Sequence, residues 1–281
     1  MRFTTSDGLS LDFSDAGEGG AGQPPVLCLP GLTRNRRDFD ELVAARGDRH
    51  RMIRLTFRGR GESDRDPEML NYNPAVEARD VVELLDHLGV PRAVVVGTSR
   101  GGLVAMVLAA TVRDRLAGVL LNDIGPELAR DGLAQIMTYL GVVPRARTHA
   151  EAAQALAVRM GAEFPGVTEE KWLDCARRWF DEGDGGLLLN YDARLRDMMQ
   201  MALDQDPPAD LWPLFDAFAG LPLAVLRGAN SRLLSRETLA GMQARRPDMI
   251  VAEVPDRGHV PFLDEPEALA AFDALMARVA A

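Results

Sequence analysis

A chain of 281 residues, 47% of them hydrophobic, is long enough to bury one large core, or a core carrying an insertion. Its formal net charge of −10 argues against a nucleic acid or an anionic membrane surface as partner, because either would call for a basic face. The first residues, Met1-Arg2-Phe3-Thr4-Thr5-Ser6-Asp7, lack the apolar stretch of a signal peptide, and the apolar run over residues 103–112 is too short to span a bilayer, so a cytoplasmic location is expected.

In chain order, Leu9-Ser10-Leu11-Asp12-Phe13 alternates apolar and polar residues like a half-solvated edge strand, and a glycine-rich turn over residues 17–22 follows. Pro25-Val26-Leu27-Cys28-Leu29 reads as a buried strand opening into Pro30-Gly31-Leu32, a turn able to expose backbone N–H groups ahead of a short helix carrying Phe39, Leu42 and Val43. Cys28 within that strand reads as a buried thiol, and neither it nor Cys175 has a metal-ligand spacing. The strand over residues 51–55 ends in Arg58-Gly59-Arg60-Gly61-Glu62-Ser63-Asp64. Neither standard phosphate-loop pattern is present there, so Arg–Asp pairs bracing a loop are the favoured reading. Residues 76–88 carry apolar positions at helical spacing and stop at Gly89.

Val94-Val95-Val96 then leads through Gly97-Thr98-Ser99-Arg100-Gly101 into a small, apolar helix, and residues 116–123 form the next buried strand. This alternation predicts an α/β fold with a mainly parallel sheet. From 126 to 219 no convincing strand is visible. Amphipathic helical segments (150–160, 169–180, 193–203) carry all three tryptophans nearby, so the bloc reads as a helical insertion between two core portions, 1–125 and 220–281. Strands at 221–226 and 249–254, a helix at 235–244, the turn Pro255-Asp256-Arg257-Gly258-His259 and a terminal helix at 266–279 complete the core.

Gly97 to Gly101 fits G-x-S-x-G, in which a serine is pushed out of a tight strand-to-helix turn beside a helix N-terminus that favours developing negative charge. A serine hydroxyl needs a base. Of four histidines, His50 precedes a strand in a charged loop, His87 lies at a helix end and His149 opens a helix of the insertion; only His259 follows the last strand on a glycine turn at the sheet edge of Ser99.

These landmarks, Leu29-Pro30-Gly31-Leu32, the loop from Arg58 to Ser63, the elbow around Ser99 and Gly258-His259, resemble the α/β-hydrolase superfamily over nearly the whole chain. The resemblance implies a helical cap over the site at residues 126–219. It also implies an oxyanion hole formed by the backbone N–H groups of Leu32 and Arg100, with no metal or redox cofactor. The acid departs from the common pattern. The loop Gly228-Ala229-Asn230-Ser231-Arg232-Leu233-Leu234-Ser235 holds no carboxylate, and Arg232 stands where related sequences place aspartate. Some haloalkane dehalogenase-like members instead take the acid from the end of strand six, which here is Asp123; the competing reading is that Asp123 merely caps its turn.

The expected activity is that of a serine hydrolase acting on a small-molecule carboxylic ester, thioester or lactone through Ser99, His259 and Asp123. Two other readings compete with it. One is C–C bond hydrolysis by the same residues. The other is a non-catalytic ligand-binding member lacking an effective acid, motivated by Arg232. The sequence does not assign an oligomeric state. Arg100 and Arg34 are expected to be held by acidic neighbours; either one facing the pocket would favour an acidic acyl or leaving group.

Overall fold

The computed structural model describes residues 1–20 and 22–280, so Ala21, inside the expected turn at 17–22, and the terminal Ala281 lie outside the described residues. Among the described residues the core is an eight-stranded sheet. Its strands are β1 (Arg2–Thr4), β2 (Ser10–Ala16), β3 (Val26–Leu29), β4 (Met52–Leu55), β5 (Ala93–Thr98), β6 (Leu116–Asn122), β9 (Leu223–Gly228) and β10 (Ile250–Val254). Their order is β1-β2-β4-β3-β5-β6-β9-β10, with β1 and β2 antiparallel at one edge and every pairing from β4 to β10 parallel.

Strict alternation along the central strands sends side chains into two separate cores. Val95, Val119, Leu121 and Val225 pack on one face with α2 (Pro74–His87), α3 (Arg100–Thr111) and α9 (Arg236–Arg245). Val94, Val96, Leu120 and Leu226 pack on the other with α1 (Asp40–Arg46) and α10 (Pro266–Ala280). A sheet buried on both faces is why these strands read as continuous apolar runs. Cys28 is buried and free, as is Cys175, and burial pushes each thiol up to about 12. No helix among the described residues is long and apolar enough to cross a membrane.

Between β6 and β9 lie α4 (Arg130–Met137), α5 (His149–Met160), α6 (Glu169–Trp179), α7 (Leu195–Leu203) and α8 (Trp212–Asp216). The expectation of helices alone fails at one place: β7 (Phe180–Gly183) and β8 (Gly186–Leu189) form an antiparallel hairpin. Its turn is Asp184-Gly185, a dipeptide that favours two-residue hairpin loops, but strands of four residues are too short to show an alternation. The residues after β8 touch the core directly. Tyr191 bridges Arg60, Gly61 N donates to Asn190 O at 2.6 Å, and Asp192 N donates to Gly59 O at 2.7 Å.

The loop carrying Arg58 and Arg60 is braced by carboxylates, as its sequence suggested. Arg58, wholly buried, donates to Asp80 at 2.6 and 2.7 Å and to Asp66 at 2.5 Å, and Arg60 lies 2.8 Å from Glu77. Buried charges of this kind hold geometry more than they add stability, since losing one partner strands the other.

Asp192 ties the insertion to this loop, taking hydrogen bonds from Tyr72 Oη at 2.7 Å and from Arg194 at 2.5 Å. Burial works to raise its pKa, but the bonds from Arg194 and Tyr72 bring it down to about 2 from 3.8. A carboxyl lowered in the folded state stabilises fully above its unfolded pKa, and that contribution is lost as the pH falls through the folded value. Asp192→Asn should therefore lower stability at pH 7 by on the order of 2 kcal/mol, with the difference from the parent shrinking between about pH 4 and pH 2. Urea unfolding at several pH values measures this, and a pH-independent difference would exclude the linkage.

Candidate active site

Four parallel neighbours, β5, β6, β9 and β10, end at the same sheet edge, and the chain leaves each of them into a loop that meets the others. Ser99 sits between β5 and α3 with φ 49° and ψ −109°, a conformation rarely adopted by a residue bearing a Cβ. The turn exists because its neighbours lack side chains: a Cβ on Gly101 would lie 2.1 Å from Leu29 O, and one on Gly97 2.7 Å from the backbone of Gly101. The strain is held by Ser99 N donating to Asn122 O at 3.0 Å and by the first turn of α3 closing on Ser99 O.

His259 Nε2 is 2.9 Å from Ser99 Oγ, and His259 Nδ1 is 2.7 Å from Asp123 Oδ2. Asp123 is entirely buried and His259 nearly so. The carboxylate is satisfied from the loop after β9: Gly228 N donates to Oδ1 at 2.8 Å and Ser231 Oγ to Oδ2 at 2.6 Å. Asp123 itself has φ 55°, tolerable for aspartate, and its N–H donates to Leu226 O, so its conformation is set from β9 as well. Its position therefore goes beyond capping a turn. A carboxylate so placed fixes Nδ1 as the protonated nitrogen and leaves Nε2 free to accept the serine proton.

The β3 loop approaches Ser99, a Cβ on Gly31 lying 4.0 Å from Ser99 Cβ, and Arg100 opens α3, where the first N–H groups lack intrahelical acceptors. Arg60 Nε fixes the β3 loop by donating to Leu32 O at 2.9 Å. The side chain of Arg100 does not face the site: it donates to the buried Glu77 at 2.6 Å and to Tyr72 O at 2.9 Å. Arg34 does face it, stacked over Trp179 with its guanidinium carbon 3.3 Å from the ring centroid.

The other histidines lie elsewhere. His50 packs edge-on against Phe272, His87 against Phe3 and Phe13, and His149 bonds Phe180 O within the insertion. Asp256 is exposed and makes no bond to His259. Asn230 and Ser231, the polar residues of the loop after β9, do not bond the imidazole. Ser231 orients Asp123 and Asn230 donates to Glu163 O at 3.0 Å. Arg232, where related sequences place the acid, turns outward and pairs with Glu163 at 3.2 Å.

A cavity of about 250 Å³ lies between Thr33 and Arg34 of the β3 loop and the insertion, lined among others by Tyr139, Arg159, Trp179 and Tyr191; Ser99, His259 and Asp123 do not line it. Two smaller cavities, one sharing Arg34 and Trp179 with it and the other Tyr139 and Arg159, are lined by His259. Tyr139, Arg159 and Trp179 had no signal in the sequence, since helical segments give no indication of which face meets a cavity.

Residues 26–272 match the model of a family described as the alpha/beta hydrolase family. The chain is 36% identical over 260 residues to the 3-hydroxybutyrate-oligomer hydrolase of Cupriavidus necator, covering 90% of this chain and 88% of that protein. It is 28% identical to the 2-(acetamidomethylene)succinate hydrolase of Mesorhizobium japonicum, covering 89% and 85% respectively. The crystal structure of an alpha/beta hydrolase from Novosphingobium aromaticivorans superposes with a TM-score of 0.92 at 40% identity, covering 99% of this chain and 97% of that one. With the parallel sheet, the strained Ser99 turn and the matched span in agreement, the chain belongs to the alpha/beta hydrolase family.

Proposed function

We propose that the protein is a serine hydrolase of carboxylic esters, thioesters or lactones, with Ser99 as nucleophile, His259 as base and Asp123 as acid. The observation that carries this reading is the unbroken row from Ser99 Oγ through His259 to Asp123 at 2.9 and 2.7 Å. The ester-oligomer hydrolase among its relatives supports the bond class. The insertion at 126–219 serves as a cap that excludes water from the cavity beneath it.

In the reaction, Ser99 Oγ attacks the substrate carbonyl while its proton passes to His259 Nε2. The N–H groups of Leu32 and Arg100 hold the resulting oxyanion. Collapse breaks the bond to the leaving alcohol or thiol, which takes the proton back from His259, and leaves an acyl group on Ser99. Water activated by the same imidazole then releases the acid. Asp123 stays ionised throughout and stabilises the imidazolium. Asp123 at the end of β6 meets His259 while Arg232 pairs outward with Glu163, which favours the catalytic over the non-catalytic reading.

Ser99→Ala should reduce hydrolysis of a p-nitrophenyl ester by roughly 10⁶-fold and abolish labelling by a fluorophosphonate probe. Unchanged turnover in that variant would overturn the assignment. Asp123→Asn should lower kcat by roughly 10⁴-fold with the fold intact, because the amide selects the wrong imidazole tautomer. Ser231→Ala removes one charge-assisted bond to Asp123, worth about 1.5 kcal/mol, so kcat should fall roughly tenfold at constant KM, with recovery in Ser231→Thr. A panel of esters, thioesters, lactones and vinylogous ketones compared by kcat/KM decides between ester-type and C–C bond cleavage.

A further inference from the structure

Many buried and half-buried arginines among the described residues are held by carboxylates. Arg58 and Arg60 are paired with carboxylates, as are Arg100 with Glu77, Arg178 with Glu41 and Arg227 with Glu253. Three arginines on the cavity have no carboxylate at hydrogen-bond distance among the described residues: Arg145, exposed at its rim, and Arg34 and Arg159. Arg34 comes no closer than 3.7 Å to Asp38, beyond hydrogen-bond distance, and Asp38 is occupied by Trp179 Nε1 at 3.0 Å. Arg159 lies over the Tyr139 ring at 4.8 Å and has no carboxylate within 4 Å among the described residues. Its natural partner one helical turn on, Glu163, is already taken by Gln135 at 2.8 Å and by Arg232 at 3.2 Å.

Arg34 and Arg159 both line the same cavity, together with Tyr139 and Tyr191. Tyr191 Oη accepts from Gly141 N at 3.0 Å, which leaves its own proton available as a donor. The charges are close enough to act on each other: desolvation and, against the opposing effect of Tyr139, the charge of Arg34 lower the Arg159 guanidinium. Like charges lining one cavity repel, and an anion placed between them relieves that repulsion. A planar guanidinium matches a carboxylate in bidentate geometry, and stacking on Trp179 and Tyr139 pre-orients both.

We propose that Arg34 and Arg159 form a carboxylate-binding end of the substrate cavity, so that the preferred substrates are carboxylic esters carrying one free carboxylate. This rests on the ester-hydrolase reading above and narrows it. Arg34 stands two residues beyond Leu32 on the loop beside Ser99, and Arg159 stands on α5 across the cavity. The anion is therefore held while the scissile carbonyl reaches the nucleophile. A hydroxy-acid ester would carry the carboxylate on its leaving group, a diacid half-ester on its acyl group.

The test compares matched substrates with and without the charge: a 3-hydroxybutyrate dimer against its methyl ester, and mono-p-nitrophenyl glutarate against p-nitrophenyl pentanoate. The parent should favour the anionic member of at least one pair, and which pair locates the carboxylate. In Arg159→Gln and, separately, Arg34→Gln, the anionic-to-neutral ratio of kcat/KM should fall roughly ten- to hundredfold, chiefly through KM. The surface variant Arg236→Gln should leave that ratio unaltered. Equal losses on both members of each pair, or no preference in the parent, would overturn the proposal.

Calorimetric titration of Ser99→Ala with monomethyl glutarate and with dimethyl glutarate separates this proposal from the catalytic assignment. Tighter binding of the half-ester, lost when Arg159→Gln is added, upholds the site even if Ser99 proves not to be the nucleophile. Equal binding of the two esters removes the site even if Ser99 is confirmed.

Discussion

The hydrogen bond from His259 Nδ1 to the buried Asp123 carboxylate is the contact on which the proposed chemistry depends, and its geometry is a consequence of the sheet. Asp123 follows β6, and its two oxygens are satisfied by Gly228 N and Ser231 Oγ from the loop after the neighbouring strand β9. His259 arrives from the loop after β10, and Ser99 from the turn after β5. Four consecutive strands thus each contribute to a single hydrogen-bonded row, and a register shift in any of them would move a whole side chain to the other face. An ionised carboxylate with no exposure is tolerable only because three donors converge on it.

A second set of buried charges holds the other half of the site. Arg60 grips Leu32 O and lies against Glu77, which also takes the side chain of Arg100. The β3 loop and the start of α3 are thereby tied to one carboxylate on α2. Glu77 pays the desolvation penalty of full burial, yet the two arginines keep it below the ordinary carboxylate range. Paired charges at a catalytic loop fix direction more strongly than apolar contacts do, because misalignment leaves a buried charge unpartnered.

The insertion meets this framework through backbone bonds as well as side chains. The segment after β8 bonds to Gly59 and Gly61, while Asn35 and Asn190 both donate to Arg178 O. The cavity between the two parts is consequently bounded by elements far apart in sequence, with Arg34 and Trp179 stacked across the boundary. Arg34 on the β3 loop, stacked on Trp179 of the insertion, lines a cavity together with His259.

The local pattern determined a good deal by itself. The apolar runs ending in Gly97 and Asn122, the G-x-S-x-G turn and the glycine before His259 are short-range features whose conformations follow from sterics, so the parallel sheet, Ser99 and His259 were legible in the residues. The acid was half legible. Asp123 could be placed at a strand end, but whether it caps a turn or meets His259 depends on how β6, β9 and β10 lie side by side, and no local pattern encodes that. The hairpin at Phe180–Leu189 escaped notice because strands of four residues carry too few alternations to outweigh the helices around them. The arginines divide for the same reason. Arg34 and Arg100 occupy equivalent-looking places beside the elbow, yet Glu77 claims one and leaves the other to the cavity. Which charge is neutralised and which stays free is decided by partners 23 residues away or more, and only the folded chain brings them together.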